Sequence, residues 1–313
     1  MVSSALVSIV TPSFNQARFI EETLRSVELQ RYRPLHQIVI DGGSRDATVD
    51  ILKRWETVDH GPGYTFEWVS EPDRGHANAL NKGFDRVQGE FVGWLNSDDV
   101  YFDRSVVGLA VDAFQTHSDI DLVHGEVALI SEDSGLQMIL CYPKFDYERA
   151  LRGYMVSQPT VFLRRSLVDR FRLNSAAAPA IDFDYWLQIG REHKSLKIDH
   201  ILAGDRDHGT RISRTSRTTL ATVGKQVCIN HGGQERPSWF PSLRDRLWLR
   251  FMRVTALFQL VSLLMEGGLQ DRLAFPGWID SVPRVLARQI MMRVKERGGV
   301  GPRRPAGQAF RTD

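Results

Sequence analysis

Cysteine is scarce. Cys141 and Cys228 are the only two among 313 residues, and their separation fits neither a short zinc-ligand spacing nor a disulfide-rich secreted scaffold. A reducing, cytoplasmic compartment is expected. The N-terminus lacks the basic and apolar segments of an export signal, passing from Met1-Val2-Ser3-Ser4 straight into Ala5-Leu6-Val7-Ser8-Ile9-Val10. Long apolar runs are missing too: the longest nearly uncharged one, Val254 to Met265, is shorter than the about 20 residues a membrane-spanning helix needs. Net charge is small, with 40 Lys and Arg against 38 Asp and Glu, which argues against a dedicated nucleic-acid binder. The cationic excess sits in the tail, where Arg284 to Asp313 carry +6 and leave −4 on the preceding 283 residues. No internal repeat is found.

What is present is ordinary globular composition, 42% hydrophobic and 25% charged, which excludes collagenous, disordered and membrane-spanning classes. The length suits one large α/β domain with an appendage, or two modest domains. Through the first 130 residues, β-branched apolar runs alternate with segments of helical period, the pattern of a parallel sheet flanked by helices. Strands are expected near 6–12, 36–41, 64–70, 90–95 and 121–130, and helices over 17–30, 46–57, 76–87 and 104–117. A strand at Thr160–Leu163, a helix opening near Asp182 and another over 214–235 complete the reading. In such sheets ligands sit beyond the carboxyl ends of the strands. The runs end in Thr11-Pro12-Ser13-Phe14-Asn15, Asp41-Gly42-Gly43-Ser44, Glu71-Pro72-Asp73-Arg74-Gly75 and Asn96-Ser97-Asp98-Asp99, which should converge on one crevice.

Asp98-Asp99 at a strand end is a usual way to hold Mg2+ or Mn2+ against a diphosphate; a turn capping the next helix is the structural alternative. Asp41 and Asp73 add carboxylates on the same edge, able to accept hydrogen bonds from a nucleobase and ribose. No Gly-rich phosphate loop follows Val10, which disfavours a nucleotidyltransferase.

Four segments in order, Val7–Asn15, Asp41–Thr48, Ser70–Gly75 with Asn81-Lys82-Gly83, and Trp94–Asp99, make the chain resemble the inverting family 2 glycosyltransferases. The likeness covers residues 5 to about 213. It implies a GT-A fold, an α/β, Rossmann-like, mostly parallel sheet flanked by helices. It also implies a nucleotide pocket lined by Pro12, Asp41 and Asp73, with Asp98 as the metal-binding member of the DxD-type motif. Asn96 stands where many relatives have that motif's first Asp, which leaves ribose contact to Asn96 or Asp99. Leu80 replaces a common arginine, which leaves Arg74 or Lys82 as the phosphate cation. The segment Ile181–Leu187 looks like the family's base motif, which makes Asp182 the general base and Asp184 the runner-up; Asp182 also reads as a helix cap. His208 resembles a late loop histidine that reaches the metal or diphosphate; His76 is a weaker candidate. Gln158-Pro159-Thr160 resembles an acceptor-side segment. Trp186 and Leu187 read as core.

The expected organisation is a catalytic domain over 1–235, with a nucleotide-binding half to 130 and an acceptor-binding half from 131, then a helical extension over 236–297 and a basic, disordered tail over 298–313. Arg246, Arg250 and Arg253 fall on one helical face, suited either to an anionic membrane surface or to packing on a partner. The expected activity is metal-dependent transfer from a nucleotide-diphosphate sugar, a UDP-sugar favoured, to a saccharide or lipid-linked acceptor. The alternative is a nucleotide-sugar-binding subunit without turnover. The expected location is cytoplasmic, peripheral on the inner face of the membrane.

Overall fold

A computed structural model of the chain describes residues 4–153 and 155–233; the expected extension at 236–297, its basic helical face and the tail at 298–313 lie outside the described residues. In chain order the elements are β1 (Val7–Ser13), α1 (Ile20–Glu28), β2 (Leu35–Asp41), α2 (Thr48–Glu56), β3 (Tyr64–Ser70), α3 (His76–Phe84), β4 (Phe91–Trp94), β5 (Val100–Tyr101) and α4 (Val106–Thr116). Then come β6 (Leu122–Ser131), β7 (Leu136–Leu140), α5 (Tyr147–Ala150), β8 (Phe162–Arg164), α6 (Arg165–Arg170), α7 (Ile181–Gly190), β9 (Ser195–Asp207), α8 (Ile212–Thr215) and α9 (Arg217–Asn230). Among the described residues, one sheet runs β3-β2-β1-β4-β8-β6-β9-β5, with β7 paired to β6.

β1 and β2 are buried along their whole length, as strands covered on both faces must be, so they read as continuous apolar runs without alternation. α1 lays Ile20 and Leu24 against Val39, Ile51 and Leu52 on one face. α3 and α7 cover the other, where Ala77, Leu80 and Phe84 meet Val10, Ile38, Tyr185 and Trp186. Contact between α3 and β1 is close enough that a Cβ at Gly83 would lie 2.3 Å from a Val10 methyl. This gives the Asn81-Lys82-Gly83 segment a packing role, and Asn81 adds a reciprocal pair of hydrogen bonds to the Leu173 backbone. A second, smaller core joins Phe183 and Leu187 of α7 to Val227 and Cys228 of α9.

The register matters for function. Ser13 lies opposite Asp41, and Asp41 opposite Ser70, so the polar tails of β1, β2 and β3 leave the sheet at one edge. β4 stops at Trp94, opposite Val10, where the Val10 carbonyl accepts from Leu95 N–H. Pro12, two residues on and facing the same side, therefore lies past the end of β4, where its missing N–H breaks no ladder bond.

The second half departs from expectation. Its neighbours are antiparallel at β4–β8, β6–β8 and β5–β9, so the sheet is parallel only in its first half and mixed beyond. The expected strand at 160–163 opens as a 3-10 turn at Gln158–Thr160 and becomes β8 only from Phe162. The expected helix over 214–235 is two helices separated at Ser216, whose backbone leaves helical geometry. β9, a strand of 13 residues, had no counterpart in the sequence reading, because Asp199-His200 and two bulges against β6 interrupt its apolar pattern.

Candidate active site

The loop after β2 is built around Asp41. This carboxylate is fully buried and accepts from the Gly43 N–H (3.1 Å), the Ser44 N–H (2.9 Å), the Ser70 hydroxyl (2.6 Å) and the Ser44 hydroxyl. Its acceptor capacity is thus taken by its own turn and by Ser70 at the end of β3. The β1 exit is fastened to the same loop: Asn15 N–H donates to Ser44 Oγ (2.7 Å), Gln16 N–H to Thr48 Oγ1 (2.9 Å) and Ala17 N–H to Asp46 (3.0 Å). These bonds give Ser44, Asp46 and Thr48 a structural task beside Asp41. Above them, a Cβ at Gly42 would meet Asp73 Oδ2 at 2.7 Å and the Phe14 ring at 3.3 Å, so Gly42 floors a notch between these side chains. Phe14 is 57% exposed, an open aromatic face at the strand ends. Asp73 spends one oxygen on the Gly75 N–H. Arg74 is exposed, and Lys82 is paired with Glu71 at 2.6 Å.

In the loop after β4, Asn96 Oδ1 accepts from the Trp94 indole (2.8 Å), and His76 Nε2 lies 3.1 Å from the same oxygen. Because an indole only donates, this fixes the orientation of the amide. Asn96 Nδ2 then donates to Gln158 Oε1 (2.8 Å), and Gln158 Nε2 to the Trp94 carbonyl (2.7 Å). Asn96 and Gln158 are therefore mutual supports behind the loop. Burial lowers the His76 pKa. Asp99 is buried and accepts from Arg206 N–H at 3.0 Å; burial, then the charges of Asp98 and Asp205, raise its carboxyl well above the usual range.

Asp98 differs from its neighbours. Its Oδ2 lies 2.9 Å from Nε2 of His208, a buried ring whose Nδ1 meets Thr210 Oγ1 at 3.0 Å and whose face packs on Phe19. The pairing of β5 with β9, Val100 opposite Gly204, is what brings these distant residues together. Asp182 begins α7 and accepts from the adjacent Phe183 N–H; burial raises its carboxyl, and the charge of Asp205 adds to the effect. Asp205 is itself raised by burial and by Asp98, which outweigh its ion pair with Arg211 at 2.7 Å. Asp205 thus stands between Asp98 and Asp182 in electrostatic terms: it feels the charge of Asp98, and Asp182 feels the charge of Asp205. Asp184 points elsewhere, paired with His231 (2.9 Å) and Gln188 (2.7 Å).

The structure adds Phe14, Asp205, Arg206 and Arg211 to the residues singled out by sequence. Phe14 had a visible signal, a bulky apolar residue just past a strand end. The other three had none without β9.

The glycosyl transferase family 2 model matches residues 8–169, slightly more than half of the chain. An uncharacterized glycosyltransferase of Mycobacterium tuberculosis is 37% identical over 126 residues, 40% of this chain and 46% of that protein. The chain therefore matches less than half the length of that relative. A Bacillus subtilis glycosyltransferase named for teichuronic acid biosynthesis is 27% identical over 185 residues, 59% of this chain and 71% of its own. Among solved structures, a mannosyltransferase of Pyrobaculum calidifontis in complex with GDP-Man and Mn2+ superposes with a TM-score of 0.57 at 19% identity, covering 94% of this chain and 81% of that one. Staphylococcus aureus TarS in complex with UDP-GlcNAc gives 0.55 at 14% identity, covering 93% and 83%. The strand-end crevice, the family match and the shared architecture lead to one conclusion: the chain is a family 2 glycosyltransferase with the GT-A fold.

Proposed function

We propose that this glycosyltransferase is metal-dependent and inverting, taking a sugar from a nucleoside-diphosphate sugar, with a UDP-sugar favoured, to a hydroxyl of a saccharide or lipid-linked acceptor in polysaccharide or glycoconjugate assembly. The observation that carries this is the pairing of Asp98 with His208 beyond the strand ends; Asp205, whose charge reaches both Asp98 and Asp182, supports including Asp182 in the same site. Asp98 Oδ2 and His208 Nε2, now in direct contact at 2.9 Å, would be the protein groups to hold a Mn2+ or Mg2+ ion, a carboxylate oxygen and an imidazole nitrogen being ligands that Mn2+ accepts. No group of three or more His, Cys, Asp or Glu among the described residues is arranged for a metal. Ions of this kind at phosphate-transfer sites can take few protein ligands and complete their shell with water and substrate phosphates. The donor set fits. When bound, the ion would neutralise charge on the departing diphosphate.

The chain's own groups do the rest. Phe14 offers a flat platform for the nucleobase, Asp73 an acceptor at its edge and Arg74 a cation at the rim, with Pro12 and the Asp41 turn holding that wall in place. Asp99 and Asn96 fix the loop that presents Asp98. Asp182, its carboxyl raised by burial, takes the proton of the acceptor hydroxyl. The oxygen then attacks the anomeric carbon from the side opposite the nucleotide as the bond to the diphosphate breaks. Among the described residues no helix is long and apolar enough to cross a membrane; we assign peripheral contact with anionic lipid to the basic region after residue 235. GDP-Man and UDP-GlcNAc in the two structural neighbours support a nucleotide-sugar donor.

The test is release of free sugar from labelled UDP-sugars, with GDP-mannose as the counter-probe, in Mn2+ or in EDTA. Metal-dependent release that Asp98→Ala abolishes is expected. Undiminished release in EDTA overturns the metal's role. Binding of UDP without release from any donor, even with acceptor extracts present, favours the non-catalytic alternative.

A further inference from the structure

Arg206 is a buried cation that the proposed chemistry does not use. Its side chain has no exposed surface, yet its Nε donates to the Asp98 carbonyl at 2.8 Å. Nη1 reaches the Glu132 carbonyl (3.1 Å) and Ser134 Oγ (2.7 Å) in the β6–β7 hairpin, and Nη2 the Glu22 carboxylate of α1 (2.6 Å). Its own backbone N–H donates to Asp99. The guanidinium carbon stands 5.0 Å over the ring of Phe19, the ring that His208 also packs on at 4.8 Å. Hairpin and helix are further tied by ion pairs of Arg18 with Glu132 and Asp133.

Burying a guanidinium costs several kcal/mol of hydration, and an apolar side chain of similar volume would fill the same space at no such cost. What an apolar residue cannot do is bond in fixed directions to several chain segments at once, which the planar fork of arginine does. Arg206 near the end of β9 and His208 just past it both reach the Asp98 turn. One holds the backbone of Asp98 and the other its carboxylate.

We infer that Arg206 is a positioning residue for the metal site: it clamps the Asp98 turn between α1 and the β6–β7 hairpin, so that the carboxylate is held beside His208, where the two would hold a shared cation. This rests on Asp98 being a metal ligand. Lysine keeps the charge opposite Glu22 but loses the fork, so Arg206→Lys should misplace Asp98 in a folded protein.

The experiment is Mn2+ binding to the full chain, read by electron paramagnetic resonance with Mn2+ alone and with UDP, beside the Mn2+ dependence of donor hydrolysis and the melting temperature. Groups that orient metal ligands typically contribute about 10 to 100-fold in affinity. Arg206→Lys should lose Mn2+ affinity on that order and recover hydrolysis as Mn2+ is raised. A purely structural role would reduce the folded fraction and leave the Mn2+ affinity of the remainder unchanged; that result overturns the inference. Should Arg206→Lys fail to fold, Glu22→Gln and Ser134→Ala each loosen one anchor. Both should weaken Mn2+ binding in the same direction, and wild-type affinity in both overturns it. If the wild-type chain binds no Mn2+ with or without UDP, it is the metal reading itself that fails.

Discussion

From β3 to β4 the strands run parallel and β1, β2 and β3 end in register at Ser13, Asp41 and Ser70, whereas from β8 to β5 most neighbours are antiparallel and β6 bulges between His124 and Val127. The first half satisfies its polar atoms locally: Asp41 is filled by its own turn and by Ser70 at the end of β3, and the β1 exit by the β2 exit. The second half does so at long range, by pairing residues far apart in sequence, as with Asp98 and His208, Asp184 and His231, or Glu126 and Lys197. The difference separates scaffold from chemistry. On the proposed reading Asp41, filled by its donors, shapes the pocket, and Asp98 and Asp182, which keep acceptor capacity, act on the substrate.

The sharpest way to break that division is at α7, where Asp182 and Asp184 lie two residues apart with opposite surroundings. Asp182→Asn keeps the size of the side chain and the bond from Phe183 N–H. It should lower transfer by about 10² to 10⁴-fold, the usual contribution of a general base, while donor and Mn2+ affinity by calorimetry stay unchanged. Asp184→Asn loses its charge beside His231, so its effect should be a lower unfolding midpoint in urea with turnover per folded molecule retained. If Asp184→Asn is the inactive variant and Asp182→Asn turns over normally, filled and free carboxylates have been assigned the wrong way round.

The next test concerns the join between the halves, where Asn96 of the β4 exit meets Gln158 before β8. Asn96→Asp, which makes the motif the DxD that the resemblance implies, would set a carboxylate oxygen against Gln158 Oε1 and Asp99 Oδ2, which now lie 2.8 and 3.4 Å from Nδ2. Gln158 cannot turn its amide to help without giving up the Trp94 carbonyl. A partly buried, unpaired oxygen costs about 1–3 kcal/mol, measurable by urea unfolding. Unchanged stability would mean that the loop is free to rearrange and that the Asn96 network is not a fixed support.

How much could be read in advance follows the same boundary. Strands β1 to β4, their helices and the edge bearing Asp41, Asp73 and Asp98 were legible, because parallel strands buried on both faces announce themselves as apolar runs whose polar tails must share an edge. The preference for Asp182 over Asp184 came from resemblance; that His231 and Gln188 engage Asp184 is something local spacing could not show. β9 escaped because a bulged strand carrying Lys197, Asp199, His200 and Asp205 has neither a period of two nor a run. With it went Asp205, Arg206 and Arg211. The fully buried Arg206 is the kind of residue that composition places on the surface, and only its partners explain it. Phe14 was visible, but nothing in the sequence says that the sheet leaves its ring open.

The smallest effect sharpens the comparison through pH. His124, on β6, is fully buried. Its Nε2 faces the Phe145 N–H at 3.3 Å, so the proton sits on Nδ1, which meets no hydrogen-bond partner among the described residues. Burial, reinforced by the charge of Lys197, pushes its pKa down to about 3 from an ordinary 6.5. Well above pH 6.5 the ring is neutral in both folded and unfolded chains, and its titration leaves stability unchanged. As pH falls below 6.5 the unfolded chain takes up a proton that the folded chain refuses, so stability declines and continues to decline until about pH 3. By pH 5 this term amounts to roughly 2 kcal/mol. His124→Gln cannot titrate and its amide oxygen can still face Phe145, so between pH 7 and pH 5 the variant should lose about that much less stability than the parent in urea unfolding. Hydrogen exchange should show β6 and β9 opening before β1 and β2 in the parent at pH 5. Parallel stability curves for parent and variant would mean that His124 is reached by water, and that the second half is not sealed as its buried ionisable groups require.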